Sequence, residues 1–336
     1  MSTLAQLDYF KKLTTLELSL DGTDFPLAIL SSLSKLPSLA NFVLRLTLDA
    51  ESPEEPMVYS FSNFQNLEVR GDTSAALCIL QSIYGERLLR VTLKLGGYPR
   101  TSLKACIKRC PEMAPHMLFY SMDVYEPIDL PWDMFVPLPW DIFVSLPSSY
   151  GQLRSLNLEP VAFTIQHFCD LFDCARAGFS WSALEILKLE VSGQAADGWL
   201  GVDEMVPLSS LSMLAASCPR LHTLELSLYY PLGEGDTETE VLTTYIQNSQ
   251  PTDHKLTHLE IIFFDPFVRD PHPGDIMDAV TVSRFIDHFF PNVQNVEISD
   301  GFGAREEWYI GIQAMMKNYR DVRERKAVKG EPIIPN

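Results

Sequence analysis

The sequence predicts an α/β solenoid, with a parallel sheet on its concave side and helices on its convex side. Three observations predict it. A short apolar pattern, Leu-x-x-Leu-x-Leu in loose form, recurs ten times in chain order. Segments with apolar residues at three- and four-residue spacing fill the intervals between many of the copies. Apolar residues make up 46% of the 336 positions, enough for a full core, yet no apolar run reaches the roughly 18 residues a membrane helix needs.

The ten copies begin at Leu13, Leu39, Phe64, Leu88, Met117, Leu153, Leu184, Leu221, Leu256 and Val293. The copy at Met117, MLFYSM, is the most degenerate. Side chains alternate faces along a strand, so in each copy the last two apolar residues, such as Leu16 and Leu18, point inward. The residue between them points out. A single strand cannot bury its inner face alone, so successive strands stack in parallel and the return segments cover the core. The return segments 25–36, 74–88, 165–177, 209–219, 239–247 and 278–291 read as helices, with Pro219 and Pro291 at helix ends. The solenoid is expected to span residues 1–304.

Residues 305–336 differ from the rest. Trp308, Ile312, Met315, Tyr319 and Val322 recur at helical spacing and predict an amphipathic helix that caps the last repeat, followed by a basic tail. From Lys317 onward the chain carries six basic and three acidic residues, against a formal charge of −18 overall.

One interval has a local cause. Residues 130–137 and 138–145 read LPWDMFVP and LPWDIFVS, a tandem duplication. One copy is expected as an extra loop or turn of helix packed on the convex face; the alternative is that Trp132, Phe135, Trp140 and Phe143 form a partner patch.

The repeats CPRLHTLELSL, SALEILKLEV and YGQLRSLNLEP resemble the ribonuclease-inhibitor-like leucine-rich repeats. With FFPNVQNVEIS and the closing EEWYIGIQAMMKNYRDVRERK, they resemble more narrowly the repeat region of fungal F-box proteins. The resemblance runs from about Leu13 to Lys326. It implies a non-catalytic protein-interaction module like the substrate-recognition repeats of a ubiquitin-ligase receptor. In that family an N-terminal F-box docks the ligase adaptor. Here the first repeat begins at Leu13 and no Leu-Pro-x-Glu element precedes it, so the adaptor is expected as a partner only if an F-box lies upstream. A leucine-rich scaffold with no ubiquitin link is the alternative. A GTPase-activating protein on the same fold is a further one, with Arg70 and Arg100 as candidate arginines in edge loops.

No catalytic constellation emerges. His254 and His258 stand four apart, but at a strand start rather than on a helix, so they read as ordinary surface histidines. Gly301-Phe-Gly303 lacks the third glycine of a dinucleotide loop, and the alternating acids from Glu234 to Glu240 do not fit a calcium loop. Neither a metal nor a cofactor is expected. The six cysteines form no C-x-x-C pair, and four lie in helical patterns, which suggests a cytoplasmic or nuclear protein. The acidic balance argues against nucleic acid as a partner.

The candidate binding surface follows from the outward position of each strand. In order these are Glu17, Val43, Glu68, Thr92, Ser121, Asn157, Lys188, Glu225, Glu260 and Glu297. Directly stacked like charges repel. The row of Glu225, Glu260 and Glu297 therefore predicts a partner with a basic surface, contacted by Glu17, Glu68, Lys188, Glu225, His258, Glu260 and Glu297.

Overall fold

The computed structural model describes residues 10–21, 28–47, 57–96, 100–125, 151–161, 165–172, 181–191, 194–195, 198–199, 206–229, 237–264, 279–300 and 306–329. The chain divides into two compact units, residues 1–160 and 161–336.

In the first unit six strands follow one another in chain order: β1 (Thr15–Asp21), β2 (Asn41–Thr47), β3 (Asn66–Asp72), β4 (Arg90–Gly96), β5 (Phe119–Tyr125) and β6 (Ser155–Val161). Each pairs in parallel with the next. Glu17 lies opposite Val43, Val43 opposite Glu68, and the row continues through Thr92, Ser121 and Asn157. Among the described residues, this unit has helices α1 (Ala28–Leu33), α2 (Thr73–Ser82) and α3 (Arg100–Met113).

The second unit repeats the scheme. Strands β7 (Ile186–Val191), β8 (Thr223–Tyr229), β9 (His258–Phe264) and β10 (Asn295–Asp300) are parallel, with Lys188, Glu225, Glu260 and Glu297 in register. Its helices are α4 (Ile165–Phe172), α5 (Leu211–Ser217), α6 (Thr237–Asn248), α7 (Ala279–Phe289) and α8 (Glu306–Lys329).

The predicted register therefore holds in both units, and the reason is burial. The inward pairs Phe42/Leu44, Leu67/Val69, Val91/Leu93, Leu156/Leu158, Leu224/Leu226 and Leu259/Ile261 are at most 1% exposed. A slip of one residue would turn every such pair to solvent, at about 1.5–3 kcal/mol for each large apolar side chain. Leu16 and Leu18 of β1 are only half-buried. Even the degenerate copy obeys the pattern, with Tyr120 and Met122 buried in place of leucines.

A backbone device fixes where each strand starts. Two consecutive N–H groups donate to one carbonyl of the preceding repeat. Ala40 and Asn41 share Thr14, Gln65 and Asn66 share Ala40, and Leu89 and Arg90 share Gln65. In the second unit His222 and Thr223 share Glu185, Thr257 and His258 share His222, and Gln294 and Asn295 share Thr257. Each carbonyl thereby takes two donors and ties its repeat to the next.

The helices depart from expectation in detail. Helix α2 is capped by Asp72, whose carboxylate accepts from the Ser74 and Ala75 amides at 2.7 and 3.3 Å. It ends at Ser82 rather than 88, because Ile83 and Tyr84 leave the helix to pair with Tyr59 and Ser60. Helix α3 was not expected. Its sequence, RTSLKACIKRCPEM, breaks the apolar run with four cations and carries Pro111 in its last turn. Cys106, Ile107 and Cys110 nonetheless give it a fully buried stripe. In α8 Ile312 is buried as expected, but Tyr309 and Met316 are buried in place of Trp308 and Met315, which are half-buried. Tyr309 stacks on Phe263 of β9 with ring centroids 6.2 Å apart, and Trp308 meets the same ring at 5.8 Å. The duplicated segment, with Trp132, Phe135, Trp140 and Phe143, lies outside the described residues, as do Gly301 to Gly303.

Candidate functional site

The face of each sheet opposite the helices carries three parallel rows of side chains, because residues two apart on a strand share a face. In the first unit the middle row holds Glu17 and Glu68. Two residues further along the strands, a second row holds Arg45, Arg70 and Lys94, also in register. The rows neutralise one another: Arg45 reaches Glu17 at 2.7 Å and Arg70 reaches Glu68 at 2.6 Å. Exposed pairs of this kind contribute about 0–1 kcal/mol each, so their main effect is on surface charge. Arg90, in the third row, lies over the Phe119 ring at 4.6 Å. Asn66 donates to Asn41, and Asn41 to the Thr15 hydroxyl. The basic row escapes a reading confined to one outward position per strand. Counting two residues onward from Val43, Glu68 and Thr92 would have found it.

In the second unit the middle row is Lys188, Glu225, Glu260 and Glu297. Lys188 forms an ion pair with Glu225. Among the described residues, Glu260 and Glu297 make no ion pair. Neighbouring parallel strands lie about 4.8 Å apart, and Glu260 and Glu297 occupy directly opposed positions on adjacent strands. Glu297 borders a cavity of about 250 Å³ whose rim also carries Lys317 and Arg320 from α8. It pairs with neither. Among the glutamates of the two middle rows, Glu17, Glu68 and Glu225 have a cation and Glu260 and Glu297 do not.

The histidines separate. His258 sits on β9 two residues before Glu260 and is half-exposed. His254, expected at the surface, is buried. Its Nε2–H donates to the Cys218 carbonyl at 2.8 Å, and its Nδ1 accepts from the Leu256 amide at 3.1 Å. It joins two repeats and faces Phe290 edge-on. Burial holds it below the usual histidine range, although the bond to Cys218 opposes that shift. The pair four apart is thus not brought together. Instead one nitrogen of His258 and one oxygen each of Glu225 and Glu260 all lie within 4.8 Å of one another.

Arg70, expected in an edge loop, is on strand β3 and is tied to Glu68. Arg100 opens helix α3. Cys106 and Cys110 are buried beside Tyr120; burial raises both thiols, Cys110 to about 12, so neither offers a nucleophile at neutral pH. No helix among the described residues is long and apolar enough to cross a membrane.

No protein-family model matches the sequence, and no curated protein matches it. Among solved structures it is similar to the leucine-rich repeat-containing protein LegL7 from Legionella pneumophila. The identity is 13%, over 98% of this chain and 95% of that one, with a TM-score of 0.40. So loose an overlap decides nothing by itself. The fold rests on the in-register parallel strands of each unit and their helical returns, the arrangement of leucine-rich repeats.

Proposed function

We propose that the chain is a non-catalytic protein-interaction module, and that the outward row of its second unit receives a basic segment of a partner protein. The observation that carries this reading is the pair Glu260 and Glu297. Adjacent carboxylates without a counter-ion repel, whereas the other three glutamates of the rows each have a cation. A lysine- or arginine-bearing partner relieves that repulsion, steers its own approach, and is selected over acidic competitors. Glu225 and His258 flank the contact. In the first unit Glu17 and Glu68 are already neutralised, so they are secondary contacts.

On the repeat resemblance we read the module more narrowly as the substrate-recognition repeats of an F-box ubiquitin-ligase receptor, working in the cytoplasm or nucleus. The alternative is a scaffold with no ubiquitin link. Co-purification of the ligase adaptor from cells expressing the full gene product distinguishes the two. A GTPase-activating role is the least favoured, since Arg70 is held by Glu68 instead of projecting from a loop.

Hydrogen exchange on the complex with a purified partner tests the docking reading. The expected footprint is slowed exchange along β8, β9 and β10. Protection confined to the helices, or to residues 130–145, would refute it.

A further inference from the structure

We propose that Glu225, His258 and Glu260 form a binding site for a divalent transition-metal ion of the zinc class. The site shares two glutamates with the docking row but stands independently of any partner.

The argument begins with the register. Glu225 and Glu260 are direct neighbours across β8 and β9. His258 precedes Glu260 by two residues on the same strand and so presents its ring on the same face. Two donors at i and i+2 on one strand, with a third on the adjacent strand, converge on one point above the sheet. Their donor atoms already lie within 4.8 Å of one another. Zinc bonds to histidine nitrogen and carboxylate oxygen at about 2.0–2.2 Å. Tetrahedral placement then sets donor atoms about 3.4 Å apart, from the same bond lengths. Side-chain rotation of an ångström or so closes that gap, and the strand backbones need not move.

The chemistry selects the ion. Carboxylates alone would suit magnesium or calcium, and a patch of glutamates alone would amount only to charge. A neutral imidazole nitrogen among them favours zinc and its neighbours in the transition series. The ion also offsets a defect of the fold, because it places positive charge between Glu225 and Glu260, the latter having no cation of its own. Three protein donors leave a fourth position open, as in zinc sites that accept an outside ligand.

Lys188 supplies the feature that separates this site from adventitious binding. It holds Glu225 in an ion pair. A metal must share or displace that lysine, so the lysine weakens metal binding. Removing it should therefore strengthen the site, which no nonspecific acidic surface would mimic in a histidine-dependent way.

The test is titration calorimetry of the chelator-stripped full chain with zinc chloride, with no partner present. One saturable site is expected, unaffected by excess magnesium. His258→Ala should weaken it by on the order of 100-fold, and Glu260→Gln should do the same if the first variant fails to fold. Lys188→Met should tighten it. The proposal is overturned by an absence of saturable binding, by binding that His258→Ala and Glu260→Gln leave unchanged, or by Lys188→Met failing to raise affinity. Because zinc is titrated alone, failure here leaves the docking reading intact, and loss of partner binding leaves this result intact.

Discussion

Gly71 shows how one residue position can be fixed by backbone geometry alone. Its φ is +138°, and a Cβ there would lie 2.0 Å from the Leu46 carbonyl oxygen of the neighbouring strand. Gly71 joins β3 to the Asp72 cap of α2, so the strand-to-helix turn of that repeat depends on it. Gly71→Ala should cost at least about 1–3 kcal/mol, the range for one strained residue, before the clash is counted. A lowered urea midpoint checks it, and an unchanged midpoint contradicts it. His254 makes a second residue-scale prediction. Its folded pKa lies below the unfolded value, so the folded state binds fewer protons. Its contribution to stability is complete above about pH 6.5 and is lost as pH falls from there through the folded pKa. Burial lowers His288 too, and it acts in the same direction. Asp287 acts oppositely and at lower pH, because burial raises its carboxyl despite the Arg323 ion pair. Unfolding measured from pH 7.5 to 5 should show stability falling with pH, and the slope should flatten in His254→Gln.

At the scale of elements, the repeat is held by inward leucines and by the shared carbonyl at each strand start. Leu224 is fully buried between two strands of its own kind. Leu224→Ala should destabilise by roughly 2–5 kcal/mol. Among the described residues no strand amide donates to the corresponding carbonyl of the β10 repeat, at Gln294. Arg320 of α8 does so instead, through Nη1 at 2.6 Å, while Arg323 bonds Asp287 and the Pro291 carbonyl. The C-terminal helix thus satisfies polar groups that the next strand would otherwise take, and buries Tyr309, Ile312 and Met316 besides. Deletion of residues 306–336 should broaden or abolish cooperative unfolding of the second unit, followed by calorimetry. Retention of a sharp wild-type transition would show that α8 is dispensable. The strands were legible in the sequence because a period of two with buried leucines admits one register. Helix α3 was not, since its apolar stripe is interleaved with Lys104, Lys108 and Arg109 and is recognisable only once Cys106 and Cys110 are known to be buried. The phase of α8 was ambiguous because Trp308 and Tyr309 are adjacent aromatics; both rings meet Phe263, and Tyr309 is the one that is buried.

For the molecule as a whole, the sequence specifies which side chains share a face but not how they pair. The outward row of glutamates could be read from spacing. That Glu17, Glu68 and Glu225 are neutralised could not, because the neutralising Arg45 and Arg70 lie one row over and the Lys188 pairing depends on side-chain conformation. Nor could the meeting of His258 with Glu225, which requires the β8–β9 register together with the i, i+2 rule. What remains after this neutralisation is a local excess of negative charge at Glu260 and Glu297, and the proposed function rests on it. The most direct measurement is the affinity of a purified basic partner for wild type and for Glu260→Gln/Glu297→Gln, taken across a series of salt concentrations. Screening acts over about 8 Å at physiological ionic strength, so a charge-steered complex weakens steadily as salt rises. The account predicts weaker binding of the double variant at low salt, a flatter salt dependence, and a fold as stable as wild type or slightly more so. Equal affinity and equal salt slope in the two proteins would contradict it.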